Sequence, residues 1–341
     1  MQIFHDPDQC RSALGASVAT IGKYDGMHLG HQRILDRVLA LGRAAQLPTV
    51  VLLSEPQPEE FFNPAGAPPR LCPFEDKVEF LAGYGIDAVL RMAFNQTLSQ
   101  LSAENFAGDY LGHRLGLRAL VVGDDFHFGR QRLGDIQLLR RTGAEQGYEV
   151  ESVAGLLLGE ERVSSTLVRD YLRRGDCARA AALLGRPFSM SGEVVAGRQL
   201  GRKLGMPTAN IALAADTALP LGGIFVVSAD WGEGLRPGVA SLGIRPTVSN
   251  DQMPVLEVHL LDFGADIYGK RLRVNFLHKL RDEAKFETLD DLQRAMANDL
   301  CDTRAYFAAH SLTGAHTLQD SSASKNEPAP NGEFPAKGER A

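Results

Sequence analysis

The sequence has few cysteines, and it has fewer basic than acidic residues. Its four cysteines stand far apart and form no C-x-x-C pair, which argues against a disulfide framework or a zinc module built on paired cysteines. Isolated cysteines in a chain of 341 residues are typical of a reducing compartment, so we predict a cytoplasmic protein. The net charge of −6 excludes a surface adapted throughout to nucleic acid, and no nucleic-acid partner is predicted.

The sequence also lacks any apolar run long enough to span a bilayer, so no membrane partner is predicted. The first 15 residues do not combine a basic stretch with an apolar core, and we therefore expect no signal peptide. Hydrophobic residues make up 44% and charged residues 23% of the chain, which are ordinary values for a globular protein. The length suits two domains.

The first half of the chain alternates strand-like and helix-like segments. The strand-like segments are rich in Val, Leu and Ala and lie at 17–21, 49–54, 88–94, 119–123 and 148–153. The helix-like segments lie at 31–46, 74–85 and 102–116, and Ser102 is a candidate N-cap of the last one. Repeated β–α–β order predicts an open parallel sheet covered on both faces. Ligands of such sheets bind at the carboxyl ends of the strands.

The pattern changes near residue 185, after a helix that ends at the sequence GRP. Short strands with turn signals follow, and residues 255–261 alternate so that Glu257 and His259 share one face. These features predict a small antiparallel barrel or sandwich, followed by one amphipathic helix that opens at Thr288. From Leu312 the chain is poor in apolar residues, which predicts disorder. The predicted divisions are residues 1–182, 183–311 and a tail at 312–341.

Residues 20–32, TIGKYDGMHLGHQ, place two histidines between a predicted strand and a predicted helix. The H-x-x-H spacing is open to zinc binding, although no third ligand is nearby, and either histidine could simply cap the helix. Phosphate binding explains more, because a helix N-terminus presents unpaired N–H groups and partial positive charge. His28 and His31 would then face the same anion. Close backbone approach is permitted by three glycines: Gly22, Gly26 and Gly30.

Residues 163–172, VSSTLVRDYL, supply hydroxyl groups and a planar cation. Arg169 is suited to bidentate contact with phosphate oxygens, although a helix N-cap with a solvated arginine explains this segment better when it is taken alone. The hydroxyls belong to Ser164, Ser165 and Thr166. Together with the histidine pair, the segment resembles the two signature elements of the nucleotidyltransferase superfamily. In that superfamily the histidines hold the phosphates being split, and the second element clamps them from the far side.

Four motifs in this order narrow the resemblance: G-x-x-D-G-x-H-x-G-H-Q, EPQPEEFF at 55–62, GDDFHFG-x-x-R-x-G at 123–134 and S-S-T-x-x-R. They resemble the N-terminal module of the bacterial bifunctional riboflavin kinase/FMN adenylyltransferases, the prokaryotic FAD synthetases. That module transfers AMP from ATP to FMN. Lys23 and Tyr24 stand where the family usually has Asn-Phe, and Ser54 stands where Phe is frequent. None of these three positions is assigned to chemistry.

The resemblance implies a Rossmann-like nucleotidyltransferase domain and three sets of functional residues in the first half. Catalytic roles fall to His28, His31 and Arg169. Binding of ATP and its phosphates falls to Gly22, Asp25, Gly30, Ser164, Ser165 and Thr166. Flavin binding falls to Asp125, Phe126 and Phe128.

Residues 197–211, GRQLGRKLGMPTANI, form a glycine-rich, basic segment without P-loop spacing. Taken alone it is more simply a tight turn than a phosphate cradle. Thr208 and Asn210 would supply neutral oxygen ligands of the kind that magnesium prefers. The whole run resembles the riboflavin kinase signature, and three further segments agree with it: 238–248, 256–263 and 266–286. The resemblance implies a six-stranded antiparallel barrel with a terminal helix.

By the same resemblance, Glu257 is the base that takes the proton of the attacking flavin hydroxyl. Without the resemblance, the position of Glu257 on the predicted strand does not exclude His259, which lies on the same face, as a competing base. The magnesium of ATP is held by Thr208 and Asn210. The remaining implied residues bind phosphate or flavin: Gly197, Arg202 and Gly205 for phosphate, Arg281 and Phe286 for flavin.

The resemblance covers roughly residues 10–310 and implies two reactions on one chain. One ATP phosphorylates riboflavin to FMN, and another adenylylates FMN to FAD with release of pyrophosphate. The implied partners are riboflavin, FMN, FAD and ATP. The implied cofactor is Mg²⁺, and no zinc is expected. The sequence is compatible with a homo-oligomer. A protein with kinase activity alone is disfavoured by the intact histidine pair, and a flavin-binding sensor is disfavoured by Glu257.

Overall fold

The first half of the chain folds around an open, six-stranded parallel sheet. The structure is a computed structural model that describes residues 1–197, 206–213, 219–246 and 252–310. The strands lie in the order β1-β4-β3-β2-β5-β6. Their bounds are Gln2–Phe4 for β1, Ser17–Gly22 for β2, Thr49–Glu55 for β3, Ala88–Ala93 for β4, Leu117–Gly123 for β5 and Glu149–Val153 for β6. The predicted sheet is confirmed, and β1 adds a short edge strand to it.

Both faces of this sheet are covered, as its apolar strands predicted. Along β3, Val50 and Leu52 pack into one hydrophobic cluster, while Val51 and Leu53 pack into a second one. All four side chains are at most 1% exposed. Because successive side chains of a strand point to opposite faces, a central strand of this kind needs an apolar layer on each side.

Helices form those two layers and the links between strands. Their bounds are Pro7–Leu14 for α1, Leu29–Ala45 for α2, Pro58–Phe62 for α3, Phe74–Tyr84 for α4, Gln96–Ser99 for α5, Ala103–Asn105 for α6, Ile136–Gln146 for α7, Ser165–Arg173 for α8 and Cys177–Leu184 for α9. Short 3₁₀ turns lie at Pro64–Gly66 and Arg130–Arg132, and a two-stranded ribbon pairs β7, Leu157–Leu158, with β8, Glu161–Arg162.

The helix predicted at 102–116 begins as expected but changes its winding. The Ser102 hydroxyl accepts a hydrogen bond from the Asn105 amide at 3.2 Å, which makes Ser102 the N-cap. From Phe106 to Arg114 the helix is a π-helix. The Tyr148 hydroxyl donates to the Ala107 carbonyl at 3.0 Å within this stretch, a contact from outside the helix that hydrophobic spacing does not reveal.

The second half forms a closed, six-stranded antiparallel barrel in the order β10-β13-β12-β11-β14-β9. The bounds are Phe188–Val195 for β9, Ala209–Ile211 for β10, Gly223–Asp230 for β11, Arg236–Pro246 for β12, Gln252–Leu260 for β13 and Arg271–Arg281 for β14. Leu256 and Val258 point inward, whereas Glu257 and His259 lie on the partly exposed outer face. The barrel and the predicted alternation along β13 are therefore confirmed.

One apolar cluster joins the last helices of the first half to the barrel. Cys177, Leu183 and Leu184 of α9 are buried in the same cluster as Phe188 and Phe276 of the barrel strands. The boundary predicted between residues 182 and 183 falls inside α9, and it stays a prediction. After the barrel, α10 spans Leu289–Ala309 and is capped by Thr288, as the sequence predicted.

Candidate functional sites

The first candidate site lies at the carboxyl end of β2. This strand has β3 on one side and β5 on the other, so the order of the chain reverses there. In open α/β sheets, ligands bind at such a switch point. The loop of residues 22–28 leaves this end of the sheet and leads into α2. We refer to residues 22–28 as the histidine loop.

The two histidines of the opening motif form a stacked pair. Their ring centroids are 3.6 Å apart with an interplanar angle of 15°. His28 is the N-cap of α2, because its Nδ1 accepts a hydrogen bond from the His31 amide at 3.3 Å. A Cβ at Gly30 would lie 3.2 Å from the His28 ring, so only a glycine gives the ring comfortable room. Capping and ring pairing therefore occur together.

Burial keeps both imidazoles neutral at pH 7. His28 is 7% exposed, and its burial, with the charges of Arg186 and Arg169, lowers its pKa to about 4. Burial and the neighbouring His28 lower the pKa of His31 well below its ordinary value. The buried Nδ1 of His31 has no hydrogen-bond partner in the described part of the chain. A neutral imidazole can still donate an N–H to a phosphate oxygen.

A buried ion pair joins the histidine loop to the start of α8. Asp25 accepts hydrogen bonds from the amides of Leu71 and Cys72 at 3.0 and 3.1 Å and pairs with Arg169. Arg169 also donates its Nε to the Pro69 carbonyl at 2.6 Å. The two predicted signature elements are thus in direct contact. Two nitrogens of the Arg169 guanidinium are engaged inside the protein, whereas the spacing predicted contact with phosphate.

The hydroxyl residues of the second element differ in their surroundings. Ser164 caps α8 by accepting from the Leu167 amide at 3.2 Å. The Ser165 hydroxyl donates to the Asp25 carbonyl at 2.8 Å, which adds a second link to the histidine loop. Thr166 is exposed on the first turn of α8. Ser165 is therefore the hydroxyl most directly tied to the histidine loop.

The residues predicted to bind flavin lie after β5, at the same edge of the sheet. Phe126 and Phe128 stack with ring centroids 5.7 Å apart. Phe128 is only 7% exposed and belongs to the apolar core, whereas Phe126 is partly exposed. Asp125 is exposed and pairs with Arg162 at 2.7 Å. Phe126 thus offers the more accessible ring, and its flavin contact stays a prediction.

Two cationic residues at this site were not identified from the sequence. Lys77 of α4 is 1% exposed and donates its Nζ to the Lys23 carbonyl at 2.9 Å, and burial lowers its pKa. Arg186 donates to the Gly26 carbonyl at 3.0 Å. Lys77 lies three residues after Phe74 and four before Leu81, on the apolar stripe of α4. A lysine on that apolar stripe was the sequence signal that could have identified Lys77.

The second candidate site lies on the outer face of the barrel. The strand register places Asn210 of β10 opposite Glu257 of β13, and Ser241 of β12 opposite Glu257 on its other side. The Nδ1 atom of His259 lies 2.8 Å from the Pro207 carbonyl oxygen. Polar side chains of three neighbouring strands therefore form one row, with Glu257 at its centre.

The residues described here fit the magnesium expected beside Asn210. Thr208 and Asn210 carry neutral oxygen donors, the chemistry that Mg²⁺ prefers. A Cβ at Gly197 would overlap the Asn210 side-chain amide, so the glycine leaves the space that this side chain fills. Arg202 and Gly205, which were predicted to bind phosphate, lie outside the described residues.

Of the two barrel residues predicted to bind flavin, Arg281 is held by the terminal helix. Arg281 makes two hydrogen bonds with the buried Asp299 of α10, at 2.9 and 2.8 Å. Its guanidinium also lies 5.6 Å from the centroid of the Phe286 ring. Asp299 was not identified in the sequence, because its role depends on the packing of α10 against the barrel.

No group of three or more His, Cys, Asp or Glu side chains suited to a metal ion occurs in the described ranges of the chain. Among those residues, the zinc interpretation of the histidine pair gains no third ligand. Within the same ranges, no helix combines the length and apolarity needed to cross a membrane.

A nucleotidyltransferase-like sheet with a histidine pair, followed by a closed barrel with a carboxylate on its outer face, defines a two-domain class of enzyme. Family models divide the chain in the same way. The FAD synthetase model matches residues 10–167, and the riboflavin kinase model matches residues 184–307.

Whole-chain relatives carry both halves. The bifunctional riboflavin kinase/FMN adenylyltransferase of Pseudomonas fluorescens is 44% identical over 308 residues, which cover 90% of this chain and 98% of the relative. The protein of that name from Escherichia coli K12 is 42% identical over 291 residues, covering 85% and 92%. The chain therefore belongs to the bifunctional riboflavin kinase/FMN adenylyltransferase family, as its motifs predicted.

A solved structure supports the two-domain arrangement. It is described as a macrolide-efflux protein of Streptococcus pneumoniae, and it matches with a TM-score of 0.75 at 26% identity. The match covers 89% of this chain and 98% of that chain. The two chains therefore share their overall fold.

The depressed pKa of His28 predicts a specific dependence of stability on pH. The pKa is about 4 in the folded protein and 6.5 for an ordinary histidine. The unfolded chain therefore binds more protons between these values, so stability is fully present above pH 6.5 and declines as the pH falls toward 4. A His28→Asn variant keeps an N-cap acceptor but does not titrate. Between pH 6.5 and 4, the free energy of unfolding of this variant should fall less steeply than that of the unaltered protein. The two slopes should differ by up to about 1.4 kcal/mol per pH unit.

Urea unfolding of both proteins at several pH values between 7 and 4.5 measures the two slopes. Parallel slopes would show that His28 titrates in the folded protein as it does in the unfolded chain.

Proposed function

We propose that the histidine loop and the start of α8 form the adenylyl-transfer site, and that the outer face of the barrel around Glu257 forms the riboflavin kinase site. The substrates are riboflavin, FMN and ATP, and the final product is FAD. The observation that supports this division most strongly is the neutral, stacked histidine pair at the switch point of the sheet. We place both reactions in the cytoplasm, in keeping with the isolated cysteines.

At the first site, the FMN phosphate attacks the α-phosphorus of ATP, and pyrophosphate leaves. The residues assigned here stabilise charge and position the substrates, and none forms a covalent intermediate. His28 and His31 donate N–H groups to the phosphate oxygens on which charge develops. The N-terminus of α2 adds its partial positive charge. Arg169 acts through Asp25, whose carboxylate it holds, and thereby fixes the histidine loop.

At the second site, the primary hydroxyl of riboflavin attacks the γ-phosphorus of ATP, the bond from this phosphorus to the β,γ-bridging oxygen breaks, and ADP leaves. Glu257 accepts the hydroxyl proton as the new O–P bond forms. Thr208 and Asn210 would hold the Mg²⁺ of ATP, and the ion would supply neutralisation of phosphate charge. Arg281 and Phe286 contact the flavin, and the Asp299 carboxylate orients Arg281 for this role.

The role of the histidine pair is tested by His28→Ala and His31→Ala in the full chain. Loss of a donor aimed at developing charge typically costs about 10²–10³ in rate. Each variant should therefore convert supplied FMN to FAD about 10²–10³ times more slowly. The rate of riboflavin phosphorylation should not change, because it takes place on the barrel. Product chromatography measures both rates on the same preparations.

An unchanged rate of FAD formation in a variant that carries both His28→Ala and His31→Ala would contradict the proposed role. Equal losses in both reactions would point to unfolding instead, and a thermal melt of each variant distinguishes that outcome.

The choice of base at the kinase site is tested by Glu257→Gln and His259→Gln. Both residues lie on the outer face of β13, so each is a matched control for the other. A positioned general base contributes about 10²–10⁴-fold, so Glu257→Gln should slow riboflavin phosphorylation by that order. His259→Gln should have a small effect, because His259 already contacts the Pro207 carbonyl. Formation of FAD from FMN should be retained in both.

A larger loss in His259→Gln than in Glu257→Gln would transfer the role of base to His259. Initial rates of ADP formation with riboflavin present and absent separate phosphorylation from background hydrolysis.

A further inference from the structure

Arg186 lies between α9 and β9, at the point where the chain passes from the sheet to the barrel. Its guanidinium reaches back to the histidine loop. One nitrogen donates to the Gly26 carbonyl at 3.0 Å, and another donates to the Met27 carbonyl at 3.3 Å. These carbonyls belong to the two residues directly before His28 in the sequence. Arg186 thus binds the backbone that leads into the N-cap of α2.

The backbone at these carbonyls is in an unfavourable conformation. Met27 has φ = +50° and Gly26 has φ = +84°, and a left-handed φ is uncommon for a residue with a side chain such as Met27. The two carbonyls bound by Arg186 lie on either side of Met27. Such conformations persist where the surrounding structure holds them firmly, and they cluster at functional sites.

Other side chains bind two further carbonyls of the histidine loop. Lys77 donates to the Lys23 carbonyl, and Ser165 donates to the Asp25 carbonyl. Gln32 shares the Met27 carbonyl, at 2.8 Å. Lys77, Ser165 and Gln32 all belong to the sheet domain. Arg186 is the group that reaches this loop from the junction with the barrel.

Arg186 is itself held where α4 meets the barrel strand β14. We refer to this contact between the two halves, with Arg186 beside it, as the seam. Its guanidinium lies 4.5 Å from the centroid of the Phe80 ring on α4. The same helix pairs with the barrel strand β14, through Asp76 with Arg271 and Glu79 with Arg273. A cavity of about 410 Å³ at this seam is lined by residues of both halves, Arg186 and Arg273 among them. Arg186 therefore lies where the barrel meets the sheet, and its own hydrogen bonds and ring contact are with residues that precede the barrel.

We propose that Arg186 is a positioning residue for adenylyl transfer: from the segment between α9 and β9 it fixes the peptide units on either side of Met27 and hence the place of His28. This inference rests on the proposed function of the histidine loop. It assigns no contact with substrate to Arg186.

The test uses Arg186→Gln and Arg186→Lys in the full-length chain, with Arg273→Gln as the matched control from the same seam. The kcat and KM values for FMN and ATP are measured in FAD formation, and riboflavin phosphorylation is measured in parallel. A small misplacement of catalytic groups can cost up to about 10²-fold, so we expect Arg186→Gln to lower kcat for FAD formation about tenfold or more. The KM for FMN should stay within about twofold, because the Phe126 segment lies elsewhere.

Arg186→Lys keeps a cation that reaches one carbonyl, so it should recover part of the lost kcat. Arg273→Gln, which loses only its partner Glu79, should retain kcat within about twofold. A kcat for Arg186→Gln equal to that of the unaltered protein would overturn the proposal, as would an equal fall in Arg273→Gln. Equal losses of FAD formation and riboflavin phosphorylation would also overturn it, because they would indicate general destabilisation.

His28→Ala, assayed alongside, separates this inference from the proposed function. If His28→Ala abolishes FAD formation while Arg186→Gln leaves it intact, only the positioning role of Arg186 fails. If His28→Ala leaves FAD formation intact, the proposed function of the histidine loop fails first.

Discussion

The buried ion pair of Asp25 and Arg169 is the interaction on which the site in the sheet depends. The two residues are 2% and 8% exposed, so neither charge is solvated by bulk water. Loss of one partner of such a pair typically costs about 3–5 kcal/mol, because the other charge is left buried and unpaired. Two backbone amides complete the hydrogen bonding of Asp25. The pair holds together segments that are 144 residues apart in the chain, and the histidine loop takes its shape from this contact.

The two reactions place different demands on the chain, and the two proposed sites lie in different halves of it. Splitting the α–β bond of ATP calls for donors at developing charge, and the sheet supplies neutral, buried imidazoles at a helix start. Phosphorylation of a hydroxyl calls for a base, and the barrel presents Glu257 on its partly exposed outer face. The seam at α4 and Arg186 is where the two halves can influence each other, since its ion pairs and hydrogen bonds cross the junction.

Much of the fold follows from local sequence, whereas the contacts within the sites do not. The apolar runs of the first half were sufficient to predict the parallel sheet. Alternation along β13 predicted an antiparallel barrel or sandwich, and the family resemblance was needed to choose the barrel. The closeness of His28 and His31 follows from their spacing, although their stacking was not predicted, and Thr288 was recognisable as an N-cap. The pairing of Asp25 with Arg169 could not be predicted, because the two residues are 144 positions apart and local spacing carries no information on their contact. The same holds for Arg186, whose partners are backbone carbonyls 159 and 160 residues earlier in the chain.

The most direct test of the account is a time course of the purified full-length chain with riboflavin, ATP and Mg²⁺, in which flavins and nucleotides are separated by chromatography. The account predicts that FMN forms first and FAD follows, that ADP equals the sum of FMN and FAD, and that pyrophosphate equals FAD. FMN without FAD would contradict the assignment of the histidine loop to adenylyl transfer. The absence of any phosphorylated flavin would contradict the account of both sites.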